Sequence, residues 1–246
     1  LVLKKIINDL KPDLIHNHHS IFQEILRYIG YDLKKVILTY HGIFINDTVA
    51  LKTNLSKGID LKKIYLNTFN LVYNSTFLTT QMKIDFNQYL DVSKINTRII
   101  SNGINTELFY FDSLERKKIR QKLRIKDNDI CLITVGSLQE RKGQLTFIEK
   151  NKNLFKNKNL KLILVGKGKD YDKICNIVDS ESLGDTIHIM DYISYSNLYK
   201  YYSAADIYVH SSTSEGQALT VLEAMSTGLS IVCNHLVKGT LNLPLE

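Results

Sequence analysis

Residues 214–228 of the chain read SEGQALTVLEAMSTG. Apolar residues in this stretch recur at helical spacing, at positions 218, 219, 221, 222 and 225, and Gly228 is a typical residue to end a helix. The strand-like runs DIYVH (206–210) and SIVC (230–233) flank it. A helix between two buried strands is typical of a parallel α/β sheet, so this stretch predicts the fold class.

The same alternation of apolar runs and helical periodicity continues along the rest of the chain. Strands are predicted over residues 13–18, 36–40, 71–74, 98–101, 130–135, 160–165, 186–189, 206–210 and 230–233, and helices lie between them, for example over 21–29 and 76–89. The charged segment 109–129 follows the turn signal Asn102-Gly103 and predicts a linker with an initial helix. We therefore predict an α/β protein with two Rossmann-like domains, over residues 1–110 and 111–246, facing each other across a ligand-binding cleft.

The composition is that of a globular protein without a membrane span, a disulfide framework or a thiolate metal site. The chain has 246 residues, of which 44% are hydrophobic and 23% charged, and it contains no apolar run near the ~20 residues of a membrane span. Its formal charge of +7 is spread among scattered lysines, which indicates a solvated surface. Three widely spaced cysteines favour neither disulfides nor a thiolate metal site and fit a reducing, cytoplasmic setting. Tyrosines at 195, 199, 201 and 202 are typical of helix packing, and no nucleic-acid partner is predicted.

Two strand ends in the second half carry glycines beside lysines. The first strand ends at Gly136, and Lys142 and Gly143 open the next helix, so backbone amides and a cation can meet a phosphate there. Ordinary turn chemistry is an equally good interpretation of that segment alone. At the second strand end, Gly166 and Gly168 favour a simple turn between strand and helix.

The quoted stretch carries the strongest ligand signal. Backbone amides near Gln217 to Thr220 would open the helix and form an anion site contributing about 0.3 to 2 kcal/mol per favourable charge. Glu215 and Glu223 are eight positions apart, just over two helical turns, so both are expected to face one cleft. Glu215 also fits as a simple charge at a helix start. Glu223 lies among apolar neighbours, which favours a role in binding paired hydroxyls.

Histidines at 16 and 18 raise the question of a metal site. Strand alternation places both side chains on one face. No suitably placed third ligand is evident, so we predict structural or cleft-lining histidines and no metal.

Taken together, these motifs resemble the retaining glycosyltransferase family 4, whose members adopt the GT-B fold. The family signature EGxxLxxLEAMxxG is matched over residues 215–228, and its GRLxxxKG element is similar to residues 136–143. Three further elements resemble the family's NGVD, DxxHxH and THG motifs, at residues 102–105, 13–18 and 39–42. The motifs follow the family's order along nearly the whole chain, and the resemblance implies that the chain is truncated at both ends.

The resemblance implies a role for each matched residue. Lys142 would contact the diphosphate of a UDP-, GDP- or ADP-sugar, Glu223 the ribose, and Glu215 the donor sugar. The amides at Gly216, Gln217, Leu219 and Thr220 would hold sugar and phosphate, and His41 would approach the reacting carbon. The remaining members of the predicted donor site are Gly136, Ser137 and Arg141. Ser137 stands where the family usually has arginine. Arg141 either compensates for that arginine or points outward, in which case the phosphate site has one cation fewer.

The implied reaction is transfer of a hexose with retention of configuration and without a cofactor or metal, to a carbohydrate or lipid-linked acceptor in cell-envelope polysaccharide or glycoconjugate assembly. The expected location is the cytoplasm or the inner face of the membrane, with peripheral membrane contact left open. Two alternatives remain: a non-catalytic sugar-nucleotide or partner-binding subunit, and a nucleotide-sugar epimerase of the same fold. The sequence does not specify the donor, acceptor, linkage or oligomeric state.

Overall fold

The computed structural model describes residues 2–42, 71–88 and 91–234. The chain divides into two compact units. Among the described residues, the first unit comprises those up to Asn102 together with Glu215–Gln217, and the second comprises Gly103–Ser214 and 218–234. The division falls at Gly103, and the domain ranges 1–110 and 111–246 stay predictions.

The first unit contains a four-stranded parallel sheet with the order β1-β2-β3-β4. Its strands are β1 (Ile15–Asn17), β2 (Val36–Tyr40), β3 (Asn74–Phe77) and β4 (Asn96–Ile99). Its described α-helices are α1 (Val2–Leu10), α2 (Ser20–Tyr28) and α3 (Thr80–Phe86). Tyr40, Phe77 and Phe86 pack ring against ring in the core, with centroids 4.4 to 5.3 Å apart.

The second unit contains a five-stranded parallel sheet with the order β7-β6-β5-β8-β9. The strands are β5 (Ile130–Val135), β6 (Leu160–Val165), β7 (Ile187–Met190), β8 (Ile207–His210) and β9 (Ser230–Cys233). The helices are α4 (Ser113–Lys122), α5 (Gln144–Asn151), α6 (Tyr171–Ser180), α7 (Tyr195–Ala204) and α8 (Leu219–Ser226). The predicted α/β class with two parallel sheets is therefore confirmed.

The core of the second unit follows from the apolar runs of β5 and β6. Leu162 and Leu164 are fully buried and pack with Ile148, Phe155 and Ile174 from the surrounding helices and turns. Burying a side chain of this size contributes about 1.5 to 3 kcal/mol. Ile163, on the opposite face of β6, is fully buried as well. A parallel sheet covered on both faces leaves the ends of its strands as the places where loops and ligands can meet.

The initial helix predicted within residues 109–129 is confirmed as α4, which begins after Asp112; that the segment is a linker stays a prediction. The Asp112 carboxylate accepts hydrogen bonds from the amides of Leu114 and Glu115 and so caps the helix. Two arginines then anchor the helix through one carboxylate: Arg116 lies 2.6 Å and the buried Arg120 lies 3.4 Å from the two oxygens of Asp206.

Asp206 also accepts a hydrogen bond of 2.7 Å from the Cys131 amide. Burial alone would raise the pKa of Asp206, but the Cys131 amide and the two arginines together lower that pKa. The network therefore ties α4 to Cys131 near the start of β5 and to Asp206, the residue that precedes β8.

Two predicted strands are displaced in the structure, one of them together with the helix after it. The strand predicted over 98–101 lies at Asn96–Ile99. The strand predicted over 71–74 lies at Asn74–Phe77, so the helix predicted from residue 76 begins only at Thr80. The prediction was wrong because β3 carries buried polar residues: the Thr76 hydroxyl lies 2.6 Å from that of Thr39 on β2. The apolar residues Leu71 and Val72 precede the strand instead of forming it.

Candidate functional site

In the sheet of the second unit, the order in which strands are added reverses at β5. The chain passes from β5 to β6 and β7 on one side, and then returns to β8 and β9 on the other. Ligands of open α/β sheets bind beyond the carboxyl ends of the strands at such a switch point. The loops after β5 and β8 therefore form the candidate site.

The loop after β5 contacts the loop after β6 through backbone groups. The Gly136 amide donates to Val165, the Leu138 amide donates to Lys167, and the Asp170 amide donates to Leu138. A Cβ at Gly168 would lie 2.2 Å from the Leu138 carbonyl oxygen, so only glycine fits there. Gly168 thus serves loop packing, in agreement with the turn predicted from the sequence.

The residues after this loop are joined to the loop after β8. A single 3₁₀ turn covers Glu140–Lys142, and Gly143 follows with a left-handed φ of 71°. The Ser211 hydroxyl donates to the Lys142 carbonyl at 2.8 Å, and the Ser212 hydroxyl donates to the Arg141 carbonyl at 3.1 Å. A Cβ at Gly143 would lie 2.4 Å from the Ser211 carbonyl oxygen. The backbone at Lys142 is therefore fixed at the switch point.

Ser137 and Arg141 occupy different parts of this arrangement. Ser137 is exposed, and its hydroxyl accepts a hydrogen bond of 3.0 Å from Gln139. The Arg141 guanidinium donates to the Ser214 carbonyl at 2.5 Å, in the loop after β8. That Arg141 compensates for the absent family arginine stays a prediction.

Helix α8 begins at Leu219, and its start lacks a side-chain cap. The N-cap residue is Ala218, whose methyl group cannot accept a hydrogen bond from the first-turn amides. At the other end Gly228 adopts a φ of 80° and donates to Met225, which confirms that this glycine ends the helix. The amides of Leu219 and Thr220 lie in the first turn, whereas Gln217, also predicted to contribute, precedes the helix. That these amides bind an anion stays a prediction.

One geometric prediction about the two glutamates is wrong. Glu215 lies four residues before the helix, in a loop, because α8 begins only at Leu219. The eight-residue spacing from Glu215 to Glu223 is therefore not two turns of one helix. The two-turn spacing counted Glu215 as if it were on the helix, but Ala218, which directly precedes the helix, already has an extended backbone.

Glu223 is a buried carboxylate. Only 4% of its surface is exposed, and its Oε2 accepts a hydrogen bond of 2.9 Å from the hydroxyl of Tyr202 on α7. Burial raises the pKa of Glu223, and the hydrogen bond from Tyr202 partly opposes that rise. A second tyrosine, Tyr208, lies 2.8 Å from the Thr220 hydroxyl on the same helix. Both Glu223 and Thr220 are thus fixed by tyrosine hydroxyls.

Gly216 and Gln217 cluster with the first unit. The Gln217 side-chain oxygen accepts a hydrogen bond of 2.6 Å from the Asn102 amide, and the Gln217 carbonyl accepts one of 3.1 Å from the Asn102 side chain. A Cβ at Gly216 would lie 1.9 Å from the His41 carbonyl oxygen. These contacts leave little room for any residue but glycine at 216.

His41 belongs to a cluster of three imidazoles in the first unit. Its Nε2 lies 2.8 Å from Nδ1 of His18, whose ring centroid lies 4.2 Å from that of His16. His16 in turn lies 2.7 Å from the Thr39 hydroxyl. Loss of contact with water and repulsion from His18 lower the pKa values of both His16 and His41.

Within residues 2–42, 71–88 and 91–234, no group of three or more histidine, cysteine or acidic side chains is arranged to hold a metal ion. In the same residues, no helix is both long and apolar enough to cross a bilayer.

Two features of the site escaped prediction from sequence. Tyr202 was assigned to helix packing alone, and its hydrogen bond joins residues 21 positions apart. The Ser211 and Ser212 hydroxyls bond carbonyls of a distant loop. The Ser/Thr-rich composition of residues 211–214 was the available signal, but it did not identify a partner.

Solved structures define the class to which this architecture belongs. Sucrose-phosphate synthase from Thermosynechococcus elongatus is similar with a TM-score of 0.76 at 20% identity, over 96% of this chain and 60% of that protein. The Anabaena protein HepE in complex with UDP is similar with a TM-score of 0.72 at 17% identity, over 94% and 61%. The fold is that of the GT-B glycosyltransferases.

Sequence comparison then gives the family. The family model described as Glycosyl transferases group 1 matches residues 115–243, more than half of the chain. A second, described as Glycosyltransferase Family 4, matches residues 1–108. The chain belongs to the glycosyl transferases group 1 family.

A curated relative is the α-monoglucosyldiacylglycerol synthase of Acholeplasma laidlawii. It is 27% identical over 141 residues, which are 56% of this chain and 35% of that protein. Across the curated relatives it matches, the chain spans between 35% and 60% of their length.

Proposed function

We propose that the protein is a glycosyltransferase whose donor, a nucleotide-diphosphate sugar, binds to the second unit at the carboxyl ends of β5 and β8. The observation that carries the proposal is the junction at the switch point, where Ser211 and Ser212 fix the backbone of Lys142 and Arg141. A cation held there suits an anionic ligand. The uncapped start of α8 supplies backbone amides in the same unit.

The donor-site roles follow from the chemistry of each group. Lys142 neutralises the diphosphate, with the amides of Leu219 and Thr220 as further donors. Glu223, an acceptor held in a buried position, binds the ribose hydroxyls. Gly136, Ser137 and Arg141 complete the loop beside the phosphates.

The reaction we propose is transfer of a hexose with retention of configuration. Charge develops on the departing diphosphate, and Lys142 with the helix amides stabilises it without a metal ion. Glu215 and Gly216 hold the donor sugar, together with the Gln217 backbone. His41 approaches the reacting carbon as a neutral imidazole at physiological pH, which fits the lowering of its pKa by loss of contact with water and by His18.

The proposed substrates follow from the relatives. HepE is described in complex with UDP, and the Acholeplasma relative is by name a glycolipid synthase. We extend these properties to this protein as a nucleotide-sugar donor and a carbohydrate or lipid-linked acceptor of the cell envelope. For such an acceptor we expect the protein in the cytoplasm or at the inner face of the membrane.

Donor screening followed by turnover tests the proposal. UDP-, GDP- and ADP-sugars are first compared by thermal stabilisation of the purified protein, because a ligand that binds only the folded state raises its melting temperature. Release of the nucleoside diphosphate is then measured with diacylglycerol and oligosaccharide acceptors. Proton NMR of the product reports whether the anomeric configuration is retained.

Substitution of Glu215 tests whether turnover depends on the proposed sugar-binding residue. Glu215→Gln should reduce turnover by at least about tenfold while nucleotide affinity stays unchanged, since Glu215 binds the sugar and not the nucleotide. Glu149→Gln, which alters an exposed glutamate of α5, should leave turnover unchanged. Turnover unaffected by Glu215→Gln would contradict the role of that residue.

A second candidate, a sugar-nucleotide-binding subunit without activity, is favoured by one observation. Ser137 provides no positive charge, and Arg141 is engaged with the Ser214 carbonyl. Nucleotide-sugar binding without transfer, hydrolysis or an effect of Glu215→Gln would support this candidate over an enzyme. Isomeric sugar products formed without an acceptor would instead indicate an epimerase.

A further inference from the structure

Tyr202 is a fully buried side chain that contacts Glu223 of the proposed donor site. It lies on α7 with 0% of its surface exposed. Its ring packs against those of Phe109 and Tyr208, each with a centroid distance of 6.0 Å. Packing against these two rings restrains the Tyr202 ring, and with it the position of the hydroxyl.

The Tyr202 hydroxyl has two acceptors within reach and one hydrogen to donate. It lies 2.9 Å from Glu223 Oε2 and 3.3 Å from the Thr220 carbonyl oxygen. The shorter contact is to the carboxylate, and hydrogen bonds to charged groups are the stronger ones. The hydrogen is therefore donated to Oε2, which orients the carboxylate about its last torsion.

Burial affects the protonation of both groups in this hydrogen bond. Burial raises the pKa values of both Tyr202 and Glu223, so the tyrosine stays a neutral donor and the glutamate resists ionisation. Donation from Tyr202 stabilises the ionised carboxylate, the form that accepts hydrogen bonds through both oxygens. A ligand hydroxyl then meets a charged acceptor whose orientation is already set.

We propose that Tyr202 is the positioning residue for ribose recognition: it fixes Oε2 of Glu223, so that Oε1 receives a ribose hydroxyl of the donor. This inference rests on the proposed function, because it assumes that Glu223 faces the ribose. A residue that acts through Glu223 should change the preference for ribose over deoxyribose and not the affinity for the nucleotide as a whole.

The test is the ratio of dissociation constants for deoxy and ribose ligands, measured by calorimetric titration. The probes are whichever of UDP, GDP or ADP binds the unmodified protein, with its 2′-deoxy and 3′-deoxy counterparts. We expect the unmodified protein to prefer ribose by about tenfold or more, since a lost hydrogen bond to a charged group costs that much. Glu223→Ala should abolish the preference.

Tyr202→Phe should weaken ribose-nucleotide binding about three- to tenfold, with little change for the deoxynucleotide that lacks the bonded hydroxyl. The matched control is Tyr201→Phe, which removes a hydroxyl from the adjacent buried tyrosine of α7 and should leave the ratio unchanged. Should Tyr202→Phe fold too poorly to titrate, 3-fluorotyrosine at position 202 keeps ring and hydroxyl while strengthening the donor. That replacement should hold or raise the ratio.

The outcomes separate the inference from the proposed function. If Glu223→Ala abolishes the preference but Tyr202→Phe weakens all ligands equally, Tyr202 is only structural and the inference is wrong, while the proposed function stands. A fall in the ratio with 3-fluorotyrosine would contradict the inference in the same way. If the unmodified protein binds nucleotide without preferring ribose, the role of Glu223 fails and the inference with it.

Discussion

Gly166→Ala tests whether the close approach of two loops determines the stability of the second unit. Gly166 follows β6 with a φ of 144°, and its amide donates to the Met190 carbonyl. A Cβ built at this position would lie 1.9 Å from the Gly136 carbonyl oxygen and 2.9 Å from its carbonyl carbon. Both neighbours are backbone atoms of the loop after β5, so neither can rotate out of the way.

The structure sets the size of the effect. Ordinary contact for a Cβ begins at 3.4 Å, so the two loops would have to separate by about 1.5 Å, which is the difference from 1.9 Å. Overpacking of this kind costs about 1 to 3 kcal/mol. Holding alanine at a positive φ costs about 1 to 3 kcal/mol more. We therefore expect Gly166→Ala to lower the free energy of unfolding by about 2 to 6 kcal/mol.

Urea unfolding followed by circular dichroism measures this loss. The matched control is Gly184→Ala, because a Cβ at Gly184 meets nothing within 4 Å. The control should change the free energy of unfolding by less than about 1 kcal/mol. A Gly166→Ala protein as stable as the control would refute the packing described for the two loops.

Two further predictions concern charged groups. The arginines and the Cys131 amide lower the pKa of Asp206, so its stabilisation is present above its unfolded pKa of about 4 and is lost as the pH falls through the lower folded value. Asp206→Asn should lower the free energy of unfolding by about 2 kcal/mol or more at pH 7, because Arg120 stays buried without its charged partner. It should also reduce the loss of stability between pH 7 and pH 3. Urea unfolding at both pH values measures this, and an equal loss in the variant and the unmodified protein would contradict the prediction. Loss of water contact and repulsion from His18 lower the pKa of His41, which therefore destabilises the fold as the pH falls below about 6.5. His18→Gln should raise that pKa in an NMR titration, and an unmoved pKa would argue against the histidine cluster.

The fold could be predicted where apolar pattern and burial agree. The strands β2, β5, β6 and β9 lie at the residues predicted for them, since each carries a short apolar run bounded by turn or helix signals. The prediction failed at β3, where Ser75 and Thr76 are buried and Thr76 lies within hydrogen-bonding distance of Thr39. A pairing with a residue 37 positions away leaves no trace in a local pattern.

In the candidate site, too, local sequence patterns identified residues but not their long-range contacts. The residues of the family motifs could be located by number, yet their geometry could not, because it depends on contacts between distant segments. Glu215 was expected at the start of the helix and lies in the loop four residues before it. Tyr202 was assigned to packing, although its hydroxyl contacts the carboxylate of Glu223. Chemical roles for these residues remain predictions to be tested by ligand binding.

The central claim is that Lys142 and Glu223 bind one nucleotide, and calorimetric titration of the purified protein tests it most directly. Lys142→Ala and Glu223→Ala should each weaken binding of the nucleoside diphosphate by about 10- to 100-fold, the cost of a lost charge-assisted hydrogen bond. Lys158→Ala removes an exposed lysine that precedes β6, away from the carboxyl ends of the strands, and should leave affinity unchanged. Unchanged affinity in both site variants would contradict the account.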